Sequence, residues 1–250
     1  MIKFFRKIRR NLLSEGQTGK YFKYAIGEIL LVVIGILIAL QVNNWNEERK
    51  LRNESQEILK SLHAEFKNNR KVLKERIDFL EDANRYVKAV LDLMGSDESQ
   101  LAAVNVDSII NSSLNYGNYN PANSTIQELI SSGKLNLIKN SQLKDNLFNW
   151  LQTLEDTDED FKNQDLQSAT MLEVYLVKNI SFKNVMIYHP LNYVDGKSKL
   201  FDGKYEPIFK DLEFENLFYV KQFWNTTMIN HYKELDSIAK EIVDQTAYIK

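Results

Sequence analysis

The sequence predicts an all-α protein in which an N-terminal transmembrane helix continues into an antiparallel bundle of three or four helices. Residues 24–42 form an apolar run that is interrupted only by Glu28 and, near its end, by Gln41. A helix of this length can cross a hydrocarbon core that is about 30 Å thick. The chain has only 9 Gly and 3 Pro in 250 residues. So few breaks favour long helices over a sheet of many strands.

Charge on the two sides of the run predicts its orientation. Residues 1–23 contain seven Lys or Arg and a single Glu, whereas residues 43–250 contain 25 basic and 32 acidic residues. Because Lys and Arg that flank a transmembrane helix are retained on the cytoplasmic side of the membrane, residues 1–23 are expected to be a basic cytoplasmic segment. The helical domain is then periplasmic, and the protein lies in a bacterial inner membrane. One face of the basic segment is apolar and consists of Phe4, Phe5, Ile8 and Leu12. This face favours a helix that lies on the anionic inner leaflet, and the alternative is a disordered basic tail.

A cleaved secretory signal is the competing interpretation of the apolar run. The apolar core of such a signal has about 7–15 residues and precedes a pair of small residues at the cleavage site. The present run is longer, and Ala39 has no convincing partner for such a pair. Trp45 follows the run where an amphipathic ring anchors a helix at the headgroups. The pattern therefore predicts an uncleaved transmembrane helix over residues 24–42.

Glu28 and a row of small residues are the candidate contacts inside the membrane. Gly27, Gly35 and Ala39 share one helical face at spacings that let a second helix approach closely. Placing the ionised Glu28 carboxylate at the centre of the bilayer carries a high free-energy cost. Three interpretations stay open: it reaches the cytoplasmic headgroups or Lys23, it contacts another membrane subunit, or it couples to ion flow. The predicted partners are membrane lipid and either a second copy or another envelope protein.

The predicted helix continues beyond the membrane. Residues 43–57 are mostly polar and are expected to form a helical stalk, and residues 58–250 a periplasmic helical domain. Neither Gly nor Pro occurs between Gly35 and Gly95. Apolar residues recur at helical spacing up to Met94, so the first helix is expected to end at Gly95.

Further elements follow from caps, breakers and apolar spacing. Ser124 and Gln127 predict a capping box before a short helix that Gly133 ends. The segment SFKNVMIY, residues 181–188, alternates and is read as a short strand or an extended loop. The remaining predictions are a short helix over 106–114, a long helix from Ser141 to about Lys178, and a last helix capped by Asp211.

Two stretches of the chain resemble a known family. They read KYFKYAIGEILLVVIGILIALQVNNWNEERK (residues 20–50) and TIQELISSGKLNLIKNSQLKDNLFNWL (residues 125–151). The first is similar to the N-terminal signature of a family of bacterial single-pass membrane proteins of unknown function, common in Bacteroidota. The resemblance implies an inner-membrane anchor with a largely helical periplasmic region. It implies no activity, ligand or catalytic residue.

The sequence offers little that could carry chemistry. It has no Cys, and its three His residues form no close ligand pair, HExxH included. Glycine-rich phosphate loops and a GxSxG elbow are also missing. Asp156, Asp158 and Asp160 alternate as in a calcium loop, but the positions for Gly and Glu hold Phe161 and Gln167, so a solvated helix face is expected. The sequence therefore predicts no catalytic, cofactor or metal site.

The last predictions concern a loop that carries two tyrosines, and then the function of the chain. Tyr116 and Tyr119 lie in an Asn-rich segment that is expected to be a surface loop, the alternative being contact with a glycan or partner. The expected function is a non-enzymatic accessory or scaffold subunit of an envelope complex, without cofactor and without nucleic acid. The alternative is an extracytoplasmic sensor that signals through a separate protein, since 23 cytoplasmic residues leave no room for an output domain.

Overall fold

The computed structural model describes residues 18–191 and 194–247, and these residues contain helices and turns but no strand. The predicted all-helical class and the long apolar N-terminal helix are therefore confirmed. The basic segment before Thr18, with its proposed apolar face, lies outside the described residues. The chain divides into two compact units, residues 1–57 and residues 58–250.

Helix α1 spans Thr18–Asp92, 75 residues in all. Its described residues before Ile58 make up the first unit, where most side chains are exposed and Lys50 pairs with Glu47 at 3.0 Å. Gly95, with a φ of 79°, follows the end of the helix. This backbone conformation suits glycine, so the predicted stop at Gly95 is confirmed.

The second unit contains the rest of α1 and all the later elements. In chain order they are α2 (Glu98–Leu101), α3 (Val106–Ser113), α4 (Ser124–Ser131), a 3₁₀ turn (Lys134–Leu137), α5 (Ser141–Gln167), a π-helical turn (Ser168–Leu172), α6 (Glu173–Asn179), α7 (Phe182–Met186), α8 (Glu206–Phe209) and α9 (Leu212–Thr246). The helix predicted from Ser141 to about Lys178 is thus one run, α5 to α6, with a π turn inside it.

Hydrogen bonds show how the long helices of this unit run. Arg70 on α1 bonds to Asp236 on α9 at 2.8 Å, and His63 lies 3.1 Å from Thr246. Residues further along α1 therefore pair with residues nearer the start of α9, so these helices are antiparallel. On α5, Asn146 bonds to Glu241 and Gln164 to Asn225, so α5 and α9 are also antiparallel.

Two separate apolar cores lie along these helices. The first core is built around α1, α5 and α9, and its largest side chains are Phe66, Trp150 and Tyr232. The second core joins the last turns of α1 to the shorter helices and to the start of α9, and it includes Phe209, Phe214 and Phe218. Phe66 meets Trp150 edge to face at 4.9 Å, and Phe214 meets Phe218 at 4.8 Å. Such aromatic pairs add to the stabilisation from burial.

The cap predicted at Ser124 is wrong. The N-cap of α4 is Asn123, and its side chain makes no capping bond. The Glu65 carboxylate of α1 instead accepts bonds from the hydroxyl of Ser124 at 2.8 Å and the backbone N–H of Thr125 at 3.1 Å. A tertiary contact thus replaces the local one. A true capping box occurs at Asp97, at the start of α2.

The segment predicted as strand or extended loop contains helix α7. The Ser181 hydroxyl accepts a bond from the N–H of Asn184, which starts the helix, and Val185 is fully buried. In such a short segment the spacing of buried side chains fits both a helix and a strand, so alternation alone gave the wrong prediction. The cap predicted at Asp211 is confirmed, since its carboxylate accepts the N–H of Glu213.

Candidate functional site

The most apolar part of α1 is not buried by the described chain. An 18-residue window of this helix has a mean hydropathy of 2.6, and none of it is buried. Large side chains from Ile26 to Val42 are 45–66% exposed. A core helix of a globular domain buries its apolar face. By length and composition this segment can therefore cross a membrane.

The predicted intramembrane contacts lie on this exposed segment. Gly27, Gly35 and Ala39 are exposed, and apart from the adjoining residues and backbone of the helix itself, no atom lies within 4 Å of the place that a Cβ of either glycine would take. Glu28 is partly exposed. It shares a shallow depression of about 320 Å³ with Ala25, Ile29, Val32 and Val33. Trp45 is 57% exposed.

Tyr119 contributes to the first core, which corrects the surface position predicted for it, and Tyr116 packs against that core. Tyr119 is 4% exposed, and its ring lies 6.4 Å from that of Trp150 and 5.9 Å from that of Tyr232. Tyr116 is partly buried, and its hydroxyl donates to Asp165 at 2.9 Å. Polar neighbours in the sequence concealed this burial, because the loop folds back over α5.

The acidic part of α5 is only partly the solvated face that its sequence predicts, since Asp156 is exposed but Asp158 and Asp160 are half-buried. Asp160 lies 2.8 Å from Nε2 of His231, and Asp158 accepts a bond from Asn118 at 3.2 Å. Helix α9 and the loop before α4 therefore cover part of this face. Among the described residues, no group of three or more His, Asp or Glu side chains is arranged to hold a metal ion.

A groove of about 640 Å³ opens in the second unit, between α2, α3 and the segments around α7 and α8. Its volume falls in the range of small-molecule sites. The side chains that give it polar and aromatic character are Asp107, Asn184, Tyr188, Lys197, Phe201 and Tyr205. Sequence reasoning missed the groove because its residues come from three distant segments without a shared motif.

Asp107 is the buried charge of this groove, at 4% exposure. It accepts a hydrogen bond from the Tyr205 hydroxyl, and its other oxygen lies 4.0 Å from Nζ of Lys197. Burial and the Asp107 charge raise the pKa of Tyr205, so this hydroxyl stays protonated as a donor. The groove thus presents a fixed carboxylate beside aromatic rings.

A polar layer separates the two apolar cores. We define it as Asn84 on α1, Gln164, Gln167 and Ser168 on the α5 and π-turn run, and Lys221 and Asn225 on α9. On each of the three helices these positions fall between the residues of the first core and those of the second core. Gln164 donates to Asn225 at 2.9 Å. Five other side-chain atoms in the layer are buried without a hydrogen-bond partner in the chain: Asn84 Oδ1, Gln167 Nε2 and Oε1, Ser168 Oγ and Asn225 Nδ2.

Lys221 is the charged member of this layer. It is 1% exposed, and its ammonium lies 4.9 Å from the centre of the Tyr116 ring. Desolvation by burial lowers the pKa of Lys221 to about 8, and the Glu173 charge opposes this shift. One sequence signal could have revealed this lysine. It is the only Lys, Arg, Asp or Glu between Glu215 and Lys233, and it lies on the apolar stripe of α9.

One comparison with known proteins gives a match. A family model described as a family of unknown function (DUF6090) matches residues 28–176. This range contains most of the first stretch quoted above and all of the second. No curated protein and no solved structure matches the chain.

Proposed function

The chain belongs to the DUF6090 family, and from this premise we propose that it is a membrane-anchored, non-enzymatic subunit whose helical domain binds a partner in the cell envelope. The observation that carries the proposal is the unburied apolar segment of α1, in a chain that also forms a separate compact helical unit. Apolar side chains at this exposure are unfavourable in water but favourable in lipid.

The proposed location is a bacterial inner membrane with the N-terminus in the cytoplasm. The excess of Lys and Arg before the span supports this orientation. The resemblance to bacterial single-pass proteins supports the compartment. Residues 58–250 then form a periplasmic antiparallel bundle, and residues 43–57 a stalk between the membrane and that bundle.

A topology experiment tests the anchor. A reporter that is active only in the periplasm should be active when it is fused after Lys250. The same fusion placed after Arg10 should be inactive. The mature protein should retain Met1–Arg10, whereas a mature N-terminus near Gln41 would show a cleaved signal and contradict the proposal.

One exposed face of α9 supports binding of a protein partner. Leu212, Tyr219, Val220 and Phe223 on this face are 39–69% exposed. From Asn216 to Tyr232 the helix carries no charge other than the buried Lys221. Exposed apolar surface without interspersed charge is typical of protein interfaces. We therefore place the envelope protein partner on this face.

Co-purification tests the partner site. Phe223→Glu introduces a charge at a residue that is 61% exposed, so it should reduce recovery of partner proteins with the detergent-solubilised chain by about tenfold or more. Phe148→Glu is the matched control, because Phe148 is also an exposed helical phenylalanine, at 51%, and lies on α5. Equal recovery with both variants would contradict the site.

Self-association through the span is part of the same proposal. Gly35→Leu together with Ala39→Leu should hold two helices apart and reduce crosslinking between spans, while membrane insertion is unchanged. Leu37→Phe, which adds volume on the opposite face, should leave crosslinking intact. If the parent chain does not crosslink, the partner in the membrane is not a second copy.

A sensor is the second candidate function, and the groove at Asp107 favours it. Ligand-binding sites have about this volume and combine an apolar surface with a few fixed polar groups. A ligand bound there would stabilise the domain, and the stabilisation would grow with the logarithm of the ligand concentration above its dissociation constant. Screening for compounds that raise the unfolding temperature of the parent, but not of Asp107→Asn, separates the sensor from the accessory subunit.

A further inference from the structure

The polar layer contains an unusual concentration of buried groups without partners. In the part of the chain that the structure describes, six buried side-chain atoms lack a hydrogen bond; five of them lie in this layer, and the sixth is Oε1 of Glu65. Asn225 has no exposed surface and Ser168 is 3% exposed. A buried polar group that is left unbonded keeps its full desolvation penalty, so native proteins provide partners for such groups.

Helical spacing brings these groups together around Lys221. The bond between Gln164 and Asn225 sets the register of α5 against α9. One turn from Gln164 is Ser168, and one turn from Asn225 in the opposite chain direction is Lys221. Because the two helices are antiparallel, Ser168 lies opposite Lys221. The π turn begins at Ser168, where the N–H of Glu173 bonds to the Ser168 carbonyl. Such turns are frequent at functional sites.

Donors outnumber acceptors in this set. Lys221 forms no ion pair with a carboxylate among the described residues, and its ammonium faces the Tyr116 ring. Among the described residues, Asn225 Nδ2, Gln167 Nε2 and Ser168 Oγ are donors without an acceptor, whereas Asn84 Oδ1 and Gln167 Oε1 are acceptors without a donor. A carboxamide can turn by 180°, so Asn84 can present its NH₂ group as well. A buried cation surrounded by unused donors is suited to an acceptor that carries negative charge.

We propose that the polar layer is a binding site for a small monovalent anion, held by the Lys221 ammonium and by the side chains of Asn225, Ser168 and Gln167. Lys221 and Asn225 are buried almost completely, so the guest has to be small enough to fit among packed side chains. Chloride is the abundant anion of this kind. The site goes beyond the proposed function, because it does not depend on a partner or on the groove.

Glu173 on α6 is the charged group that acts on the Lys221 ammonium, and its effect on the pKa of Lys221 opposes that of burial. Asp165 on α5 accepts the Tyr116 hydroxyl, and the Arg76 guanidinium lies 2.9 Å from where a Cβ of Gly117 would be. A bound anion therefore competes with the Glu173 carboxylate for Lys221. Above about pH 8, neutral Lys221 binds the anion less tightly.

Unfolding in different salts tests the site. The full-length chain in detergent is unfolded at pH 7 and constant ionic strength while sodium gluconate is replaced by sodium chloride, and tryptophan fluorescence reports unfolding. Chloride at ten times its dissociation constant should lower the unfolding equilibrium constant about elevenfold. The effect should be lost in Lys221→Met and retained in Lys233→Met, which removes an exposed lysine of the same helix.

A second measurement keeps the test independent of variant stability. Crystals of the parent chain soaked in bromide should show an anomalous peak within hydrogen-bond distance of Lys221 and Asn225. Stability that does not differ between chloride and gluconate overturns the proposal, as does a chloride effect that persists in Lys221→Met. Density in the layer that is water without an anomalous peak overturns it as well.

Discussion

Lys221 gives the domain a characteristic pH dependence. Its pKa is lowered to about 8 in the folded protein, from about 10.4 in an unfolded chain. Between these values the unfolded state binds more protons, so the free energy of unfolding should rise with pH, by up to about 1.4 kcal/mol per pH unit. Burial raises the pKa of Tyr232 to about 12, so stability should fall again above about pH 10. Denaturant titrations from pH 7 to 11 in gluconate measure both limbs.

The lysine can be identified as the cause with one substitution. In Lys221→Met the rise between pH 8 and 10 should disappear while the fall above pH 10 remains. Exchange of a buried charge for an apolar side chain of similar volume should be neutral or stabilising by about 1–4 kcal/mol at pH 7. Lys233→Met should keep the parent profile. A parent profile that is flat from pH 8 to 10 would show that this lysine is not desolvated.

Trp150 and Trp45 form a natural pair for comparison. Trp150 is fully buried, contacts Phe66 and donates from Nε1 to Asn123 at 2.9 Å. Trp150→Ala should therefore cost about 3–5 kcal/mol of unfolding free energy. Trp45 is exposed, so Trp45→Ala should leave the unfolding midpoint of the domain unchanged. Equal effects of the two substitutions would contradict the assignment of Trp150 to the first core.

Individual residues show where sequence reasoning ends. Trp150 follows Leu143 and Leu147 at helical spacing and lies with them in the first core, because spacing determines which side of a helix is apolar. Tyr119 and Lys221 were not expected in the interior. Their burial depends on segments about 30 and 100 residues away that close over them. Periodicity within one segment contains no information about such contacts.

Helix α4 depends on α1 for its start. The Glu65 carboxylate accepts three bonds from Ser124 and Thr125 in place of a local cap. Glu65→Ala should destabilise the domain by about 1–2 kcal/mol and increase hydrogen exchange in the first turn of α4. Glu75→Ala removes an exposed carboxylate of the same helix, which lies 3.9 Å from Lys71. That variant should change neither quantity. Unaltered exchange in Glu65→Ala would assign the capping role elsewhere.

Elements differ in how well the sequence predicts them. Helices α3 and α9 and the end of α1 were predicted within a few residues, because long apolar periodicity, a cap at Asp211 and a break at Gly95 all act locally. Helix α1 begins at Thr18, six residues before the apolar run from which it was predicted. Helix α7 and the π turn were not predicted. A five-residue helix has too few positions to distinguish helical from strand spacing. The π turn adds one residue to an unbroken helical run, which no cap or breaker marks.

The family match ends inside the fold. It covers residues up to 176, yet α9 begins at Leu212 and contributes to both cores. A fragment from Leu51 to Lys250 should therefore be folded and mostly helical without any metal, as measured by circular dichroism. A fragment from Leu51 to Leu176 should not fold, since it lacks Phe214, Tyr232 and their neighbours. Folding of the shorter fragment would show that α9 is dispensable.

The division of the interior into two cores has a consequence for how this sequence can change over time. A substitution that alters side-chain volume in the first core needs a compensating change among its own neighbours, because packed side chains respond to one another at contact distance. The polar layer prevents that requirement from extending into the second core. Residues of the first core around Trp150 should covary with each other, and so should residues of the second core around Phe214. Substitutions in one set should be independent of those in the other. Substitutions in the groove at Asp107 can thus accumulate without compensating changes in the packing of the first core.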